Sequence, residues 1–311
     1  CRRRRGVRGM SIEDFKGKVA VITGAGSGFG REFARLGAEL DMALVLADVQ
    51  TDALQAIRDE LEANGTRVLA RVLDVADGSQ VDALAEAADA EFGDVHLLFN
   101  NAGVGTAGLI WENSVADWQW TLGVNLWGVI HGLRAFVPRM LDAAARDPNY
   151  RAHVVNTASM AGLVNPPASG VYNVSKHAVV SLSESLYHDL GLVTDQVRCS
   201  VLCPFYVPTG ISASQRNRPL ELDNAAPLTR SQRVAQAMLD KAVHSGKLTA
   251  VDVARMTFKA VREGQFYIAS HPQALEGVRQ RAEDIVALRN PTDPLAARPG
   301  LRESLIAALR G

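Results

Sequence analysis

Short apolar runs rich in β-branched residues alternate with amphipathic helical stretches along most of this 311-residue chain, and glycines join the first such pair. Residues 18–23 (K-V-A-V-I-T) have the composition of a buried central strand, and residues 31–40 have helical periodicity. Between them runs T-G-A-G-S-G-F-G. A glycine-rich turn in that place lets main-chain N–H groups and the positive end of a helix approach a pyrophosphate. Gly24 permits the tight turn, Gly28 the close approach, and Gly30 the packing of helix on strand. Such loops are weak signals alone, and the strand–turn–helix context gives this one its meaning.

The alternation continues. Strands are expected at 43–47, 66–73, 95–99, 153–157, 197–202 and 265–269. Helices are expected at 52–64, 79–92, 115–145, through Tyr172 to about 193, and at 231–245, 250–263 and 272–290. That order predicts an α/β fold, a doubly wound parallel sheet of the Rossmann type in three α/β/α layers, as one domain with a C-terminal helical extension. No linker or low-complexity composition interrupts residues 11–290, which are read as that domain. Residues 210–229, rich in Ser, Asn, Arg and Pro, have the composition of a mobile flap over a site. Residues 291–311 are read as a Pro/Arg-rich tail, and residues 1–10 as a disordered basic tail foreign to the protein, with Met10 as the natural start.

Ligands of such sheets bind at the carboxyl ends of the strands, and the polar residues of interest fall there. Asp48 ends the second strand, about twenty residues beyond the glycines, where a carboxylate accepts hydrogen bonds from an adenosine ribose and repels a 2′-phosphate. No Arg or Lys lies within the glycine loop to compensate, so NAD is expected over NADP. Asp74 and Val75 follow the third strand, placed to meet an adenine amine and ring. N-N-A-G (100–103) ends the fourth, where asparagines can tie neighbouring loops together. Asn125 stands among apolar residues inside a helical stretch, a position poorly suited to it unless its amide has partners.

The stretch S-M-A-G-L-V-N-P-P-A-S-G-V-Y-N-V-S-K (159–176) carries the chemistry. Tyr172 and Lys176 are four residues apart, hence on one helix face. A free phenol titrates near pH ~10, and a neighbouring cation lowers that value. Ser159 can offer a hydroxyl to the same substrate oxygen. This is a proton-transfer site for an alcohol/ketone pair, against the plainer reading of a surface Tyr/Lys pair.

Composition excludes other classes. The net charge is −1, and five arginines fall in the first ten residues, so the body is slightly acidic and gives no reason to expect nucleic-acid binding. No apolar run approaches the ~18 residues of a membrane span, and no secretory signal is seen, so a cytoplasmic protein is expected. Of the three cysteines, Cys199 and Cys203 share one expected strand, where a separation of ~13 Å rules out a disulfide. They are read as inert packed thiols, and no metal site is expected.

With these residues in place, residues 18–269 resemble the short-chain dehydrogenase/reductase family. T-G-x-x-x-G-x-G is met at 23–30, N-N-A-G at 100–103, and Y-x-x-x-K at 172–176 with Ser159 upstream. The resemblance implies hydride transfer to or from nicotinamide and a Ser159–Tyr172–Lys176–Asn125 tetrad. By it, Tyr172 is the acid/base, Ser159 holds the substrate oxygen, Lys176 lowers the tyrosine pKa and grips the nicotinamide ribose, and Asn125 positions a relay water. It extends the cofactor contacts to Ser27, Phe29, Asn101, Ala102, Gly103, Pro204, Val207 and Thr209. It also implies a homodimer or homotetramer, with the helices of Asn125 and Tyr172 as contact faces. One departure stands out: Phe205 follows Pro204 where the family usually has glycine, which puts the cofactor loop there in question.

Val104, Leu109, Trp111, Met160, Leu163, Val164, Phe205 and Tyr206 would make an apolar pocket, with Leu109 and Val164 better read as core. Arg216 and Arg218 could meet an anionic group but are better read as solvated. The expected function is an NAD-dependent dehydrogenase/reductase of apolar or aromatic secondary alcohols and ketones. The alternatives are an NADP-linked carbonyl reductase or a non-catalytic nucleotide sensor.

Overall fold

The computed structural model describes residues 11–296 and 298–310, so the basic tail at 1–10 lies outside the described residues. Seven strands form a parallel sheet in the order β3-β2-β1-β4-β5-β6-β7: β1 (Val19–Thr23), β2 (Ala43–Asp48), β3 (Val68–Val72), β4 (Leu97–Asn100), β5 (Ala152–Thr157), β6 (Val197–Cys203) and β7 (Tyr267–Ala269). Helices α1 (Gly28–Glu39), α2 (Thr51–Ala63) and α3 (Gly78–Phe92) connect the first four strands. The order reverses between β1 and β4, which opens the crevice where such sheets bind ligands.

Alternation along the strands feeds two layers. Ala20, Ile22, Leu44, Leu46 and Phe99 face one core with α1, α2 and α8 (Ala250–Glu263). There Phe33 stacks on Phe99 at 4.4 Å, and Phe258 packs against both Phe15 and Phe99. Val19, Val21, Val45 and Leu98 face the other, with α3 and with α5 (Gly128–Arg146). Strands buried on both faces therefore read as unbroken apolar runs.

The expected helix over 115–145 is three pieces. α4 (Val115–Leu122) opens with a capping box of Ser114 and Asp117, a π-helical turn follows at Gly123–Trp127, and α5 then begins. Asn125 sits in the widened turn. α6 (Gly170–Val193) carries Tyr172 and Lys176. The segment expected as a mobile flap is folded into 3₁₀ turns at Gly210–Asn217 and Leu220–Leu222, before α7 (Arg230–His244). Beyond β7 come α9 (Leu275–Val286) and, within the stretch expected as a tail, α10 (Pro299–Arg310), which packs on α7 and buries its own Leu305. No helix of the described residues is long and apolar enough to cross a membrane.

Candidate active site

The carboxyl ends of the strands line a single large cavity of about 1690 Å³, continuous from the glycine turn to α10. Its floor on one side is the first turn. Gly24 has φ +67°, a conformation that side chains resist, and an added Cβ would lie 2.9 Å from the Ala102 backbone. Gly30 does not reach the cavity; its Cβ would sit 2.0 Å from the Gly24 carbonyl oxygen, so the turn closes only with glycine there. Ser27, Gly28 and Phe29 line the cavity at the start of α1, where helix N–H groups have no intrahelical partner.

Asp48 is 8% exposed and lines the same space. Its two carboxylate oxygens accept from Gly26 N at 2.8 Å and Gln50 N at 2.9 Å, so it both shapes the turn and presents its remaining lone pairs. Asp74 and Val75 line the cavity next to it. The loop itself holds no cation, yet Arg31, one residue beyond it, folds back and donates to the Gly26 carbonyl at 2.7 Å.

The N-N-A-G segment is tied down as its asparagines suggested. Thr23 Oγ1 accepts from Asn101 N at 2.9 Å and Ala102 N at 3.1 Å, while Asn101 Nδ2 donates to the Thr23 carbonyl at 3.0 Å. Asn100 donates to Asn156 Oδ1 at 2.9 Å, which fastens β4 to β5 away from the cavity. Asn101, Ala102 and Gly103 line it, as do Pro204, Val207 and Thr209 on the opposite wall. The walls are close: a Cβ on Gly28 would meet Thr209 Cβ at 3.3 Å.

The proposed catalytic groups converge beside Gly103, where an added Cβ would be 3.4 Å from Asn125 Oδ1 and 3.5 Å from Lys176 Nζ. Lys176 is buried and donates to the Thr157 carbonyl at 2.9 Å. Burial pushes its ammonium down to about 8. Its Nζ lies 5.8 Å from the centre of the Tyr172 ring. Burial pushes the Tyr172 phenol up to about 12, against which a hydrogen bond with Ser159 acts in the lowering sense. Desolvation is the larger influence on the phenol, and the bond to Ser159 opposes it. Ser159 stands at the end of β5, where its Oγ also accepts from Ala161 N at 3.1 Å.

Asn125 is fully buried and does not line the cavity. Its Oδ1 accepts from Val104 N at 2.8 Å, and its Nδ2 donates to the Val104 carbonyl at 2.9 Å and Ser175 Oγ at 3.0 Å. The amide thus clamps the Val104 loop to α6, and both of its protons are spoken for.

On the far side, Val104, Met160, Val164, Phe205 and Tyr206 line the cavity, so Val164 is a wall residue and not core. Leu109, Leu163 and Trp111 do not line it, and Trp111 is 76% exposed. Phe205 takes its place without left-handed backbone, so the departure from glycine carries no strain. Arg216 is exposed and donates to the Gly210 and Ala213 carbonyls. Arg218 is not solvated: its side chain is 4% exposed, pairs with Asp117 at 2.6 Å, and lies 5.2 Å from the Trp120 ring centre. The wall residues contributed after position 270, among them His271, Gly277 and Leu305, were missed in the sequence, where no motif marks them. Cys199 and Cys203 are buried in β6, and desolvation raises both thiols to about 12, which keeps them protonated.

Comparison with known proteins agrees with this geometry. The family pattern described as short chain dehydrogenase matches residues 18–219. A solved short-chain dehydrogenase/reductase of Burkholderia phymatum, in complex with NAD, is 57% identical and superposes with a TM-score of 0.88 over 91% of this chain and 99% of that one. The CLA biosynthesis dehydrogenase/reductase of Lactiplantibacillus plantarum is 32% identical, over 88% of this chain and 95% of its own. The C alpha-dehydrogenase of Sphingobium is 31% identical, over 95% and 94% respectively. Sequence pattern, topology and relatives agree, and this chain belongs to the short-chain dehydrogenase/reductase family of oxidoreductases.

Proposed function

We propose that the protein interconverts a secondary alcohol and a ketone on an apolar or aromatic substrate, with NAD as its nicotinamide cofactor and Tyr172 as the acid/base. The observation that carries this reading is convergence: Ser159, Tyr172 and Lys176 line the same cavity as the glycine turn and Asp48. The residues present fit the cofactor. The turn is open where any Cβ at Gly24 would collide, the start of α1 offers N–H donors, and Asp48 supplies acceptors for a ribose. A solved relative with NAD bound supports the same choice.

Bound nicotinamide would accept or return the hydride of the carbinol carbon; the remaining work falls to this chain. Ser159 Oγ holds the substrate oxygen and, through its bond to Tyr172, stabilises the phenolate. Tyr172 takes the carbinol proton in oxidation and gives it back in reduction. Lys176, held near 8 by burial, keeps an ammonium within reach of the ring as the phenol's charge develops. Asn125 holds the Val104 loop and α6 in register through its side-chain amide, which has no proton left to offer a relay water. General acid–base help of this kind is worth about 10²–10⁴-fold. The apolar wall of Val104, Met160, Val164 and Phe205 favours a hydrophobic body over a sugar or phosphate. Exposed Trp127 in the π turn and exposed Val174 and Tyr187 on α6 support a homo-oligomer.

The test is NADH formation across aliphatic, aryl and steroid-like secondary alcohols. Turnover should be lost by at least about 10²-fold in Tyr172→Phe, with NADH binding retained. An active Tyr172→Phe enzyme would overturn the role of the phenol.

A further inference from the structure

The wall beyond the reacting groups mixes apolar side chains such as Met160, Val164 and Phe205 with polar and charged ones such as Gln280, Arg281 and Arg298, and the polar point beside Phe205 is well organised. Phe205 N donates to Ser270 Oγ at 3.0 Å. Its ring meets the His271 ring edge-on at 5.7 Å and leans on Tyr206 at 4.4 Å. Ser270 is 3% exposed, and its Oγ lies 2.8 Å from His271 Nδ1.

Those contacts decide which nitrogen carries the imidazole proton. A serine hydroxyl has one proton and two lone pairs. Phe205 N–H occupies one lone pair, and among the described residues the only other partner of this hydroxyl is Nδ1. If Nδ1 were the donor, the hydroxyl proton would be left buried and unpaired, which costs more than an ordinary hydrogen bond gains. Ser270 therefore donates to Nδ1, and the neutral ring holds its proton on Nε2. Burial lowers the His271 pKa from its ordinary value, which favours that neutral ring. His271 lines the cavity, and its Nε2 has no hydrogen-bond partner among the described residues.

We propose that Ser270 and His271 form a specificity site, in which His271 Nε2–H donates to a second oxygen of the substrate, an ether, phenolic or carbonyl oxygen remote from the carbinol. The proposal rests on the reading of Ser159 and Tyr172 as the reacting end. Both sites hang from one strand end: Ser159 Oγ reaches the Pro204 carbonyl at 3.5 Å, and Phe205 N anchors Ser270. Phe205, the residue that departs from the family pattern, is the wedge that seats the histidine ring. The preferred substrates are then bifunctional, with an apolar body between two oxygens, and not simple hydrocarbon alcohols.

The test separates binding from turnover. Nitrogen–proton correlation NMR on the whole protein should find His271 protonated at Nε2, with that bias lost in Ser270→Ala. Titration with acetophenone and its three ring-methoxy isomers should show one isomer binding about tenfold more tightly than acetophenone, the size of one net hydrogen bond. That isomer alone should move the Nε2 resonance. His271→Phe should abolish the preference while leaving acetophenone binding within about twofold. A proton on Nδ1, equal binding of all four ketones, or a preference that survives His271→Phe overturns the site. Discrimination in binding without turnover of any alcohol would instead break the proposed reaction and leave this site standing.

Discussion

Across the crevice, the glycine turn and the 204–229 segment face one another within van der Waals reach, yet they are built on different plans. The turn is mostly main chain packed on main chain, Gly30 against the Gly24 carbonyl and Gly24 against Ala102, with the Asp48 carboxylate holding Gly26 N. The opposite wall is fastened by side chains. Ser214 Oγ accepts from Gly105 N at 3.0 Å, Gln236 donates to the Ser212 carbonyl, and Arg218 and Asn224 both reach Asp117. A wall of main-chain contacts tolerates almost no change in shape, and suits a ligand common to many proteins. A wall fastened by side chains can be re-cut residue by residue, and suits the part of the substrate that differs.

The sharpest way to break this contrast is a pair of glycine substitutions. Gly30→Ala places a methyl 2.0 Å from a backbone oxygen that cannot move without opening the turn. It should cost about 3–5 kcal/mol or prevent folding. Gly210→Ala meets only the far end of the Arg216 side chain, at 2.8 Å, and should cost under about 1 kcal/mol. Equal midpoints of the two variants in a urea titration would show that the turn is no stiffer than the flap.

Next in size is the buried pair under the flap. Arg218→Ala leaves the Asp117 carboxylate, 5% exposed, with Asn224 Nδ2 and Ser114 N but without its cation. Stranding a charge in this way costs about 3 kcal/mol. The loss should appear both as a lower denaturation midpoint and as a raised KM for bulky alcohols, with NADH affinity unchanged. If NADH affinity falls and KM does not, the flap belongs to the cofactor side of the comparison.

The same division governs what could be read in the sequence. Strands buried on both faces leave unbroken apolar runs, and a main-chain cradle demands glycine at fixed spacing, so the sheet and the surroundings of residues 23–30 and 100–103 were legible. Side-chain fastenings leave no such trace. Arg218 looked solvated because its acid partner lies 101 positions away. Residues 123–127 looked like plain helix because a π turn inserts one residue without changing the apolar pattern. Val164 and Leu305 became wall and lid residues only because α9 and α10 close over the 159–169 segment and α7. The four-residue spacing of Tyr172 and Lys176 on α6 was legible, but the depth of their burial was not, since it depends on everything packed around them.

The smallest expected effect tests the cofactor side where the two plans meet, at a side chain that serves a main-chain cradle. Asp48 spends one lone pair on Gly26 N and another on Gln50 N, so Asp48→Ala should weaken binding of both dinucleotides by loosening the turn. The selective part is separate. Removing the carboxylate removes both the ribose acceptor and the repulsion of a 2′-phosphate, while Arg31, already folded back on the Gly26 carbonyl, keeps its positive charge on the turn. The ratio of kcat/KM for NAD over NADP should fall by about 10–100-fold, equal to about 1.4–2.8 kcal/mol. Arg31→Ala on top of that change should reverse part of the gain for NADP. An unchanged ratio in Asp48→Ala would mean that the carboxylate serves only to shape the loop, and that cofactor choice is made elsewhere along the cavity.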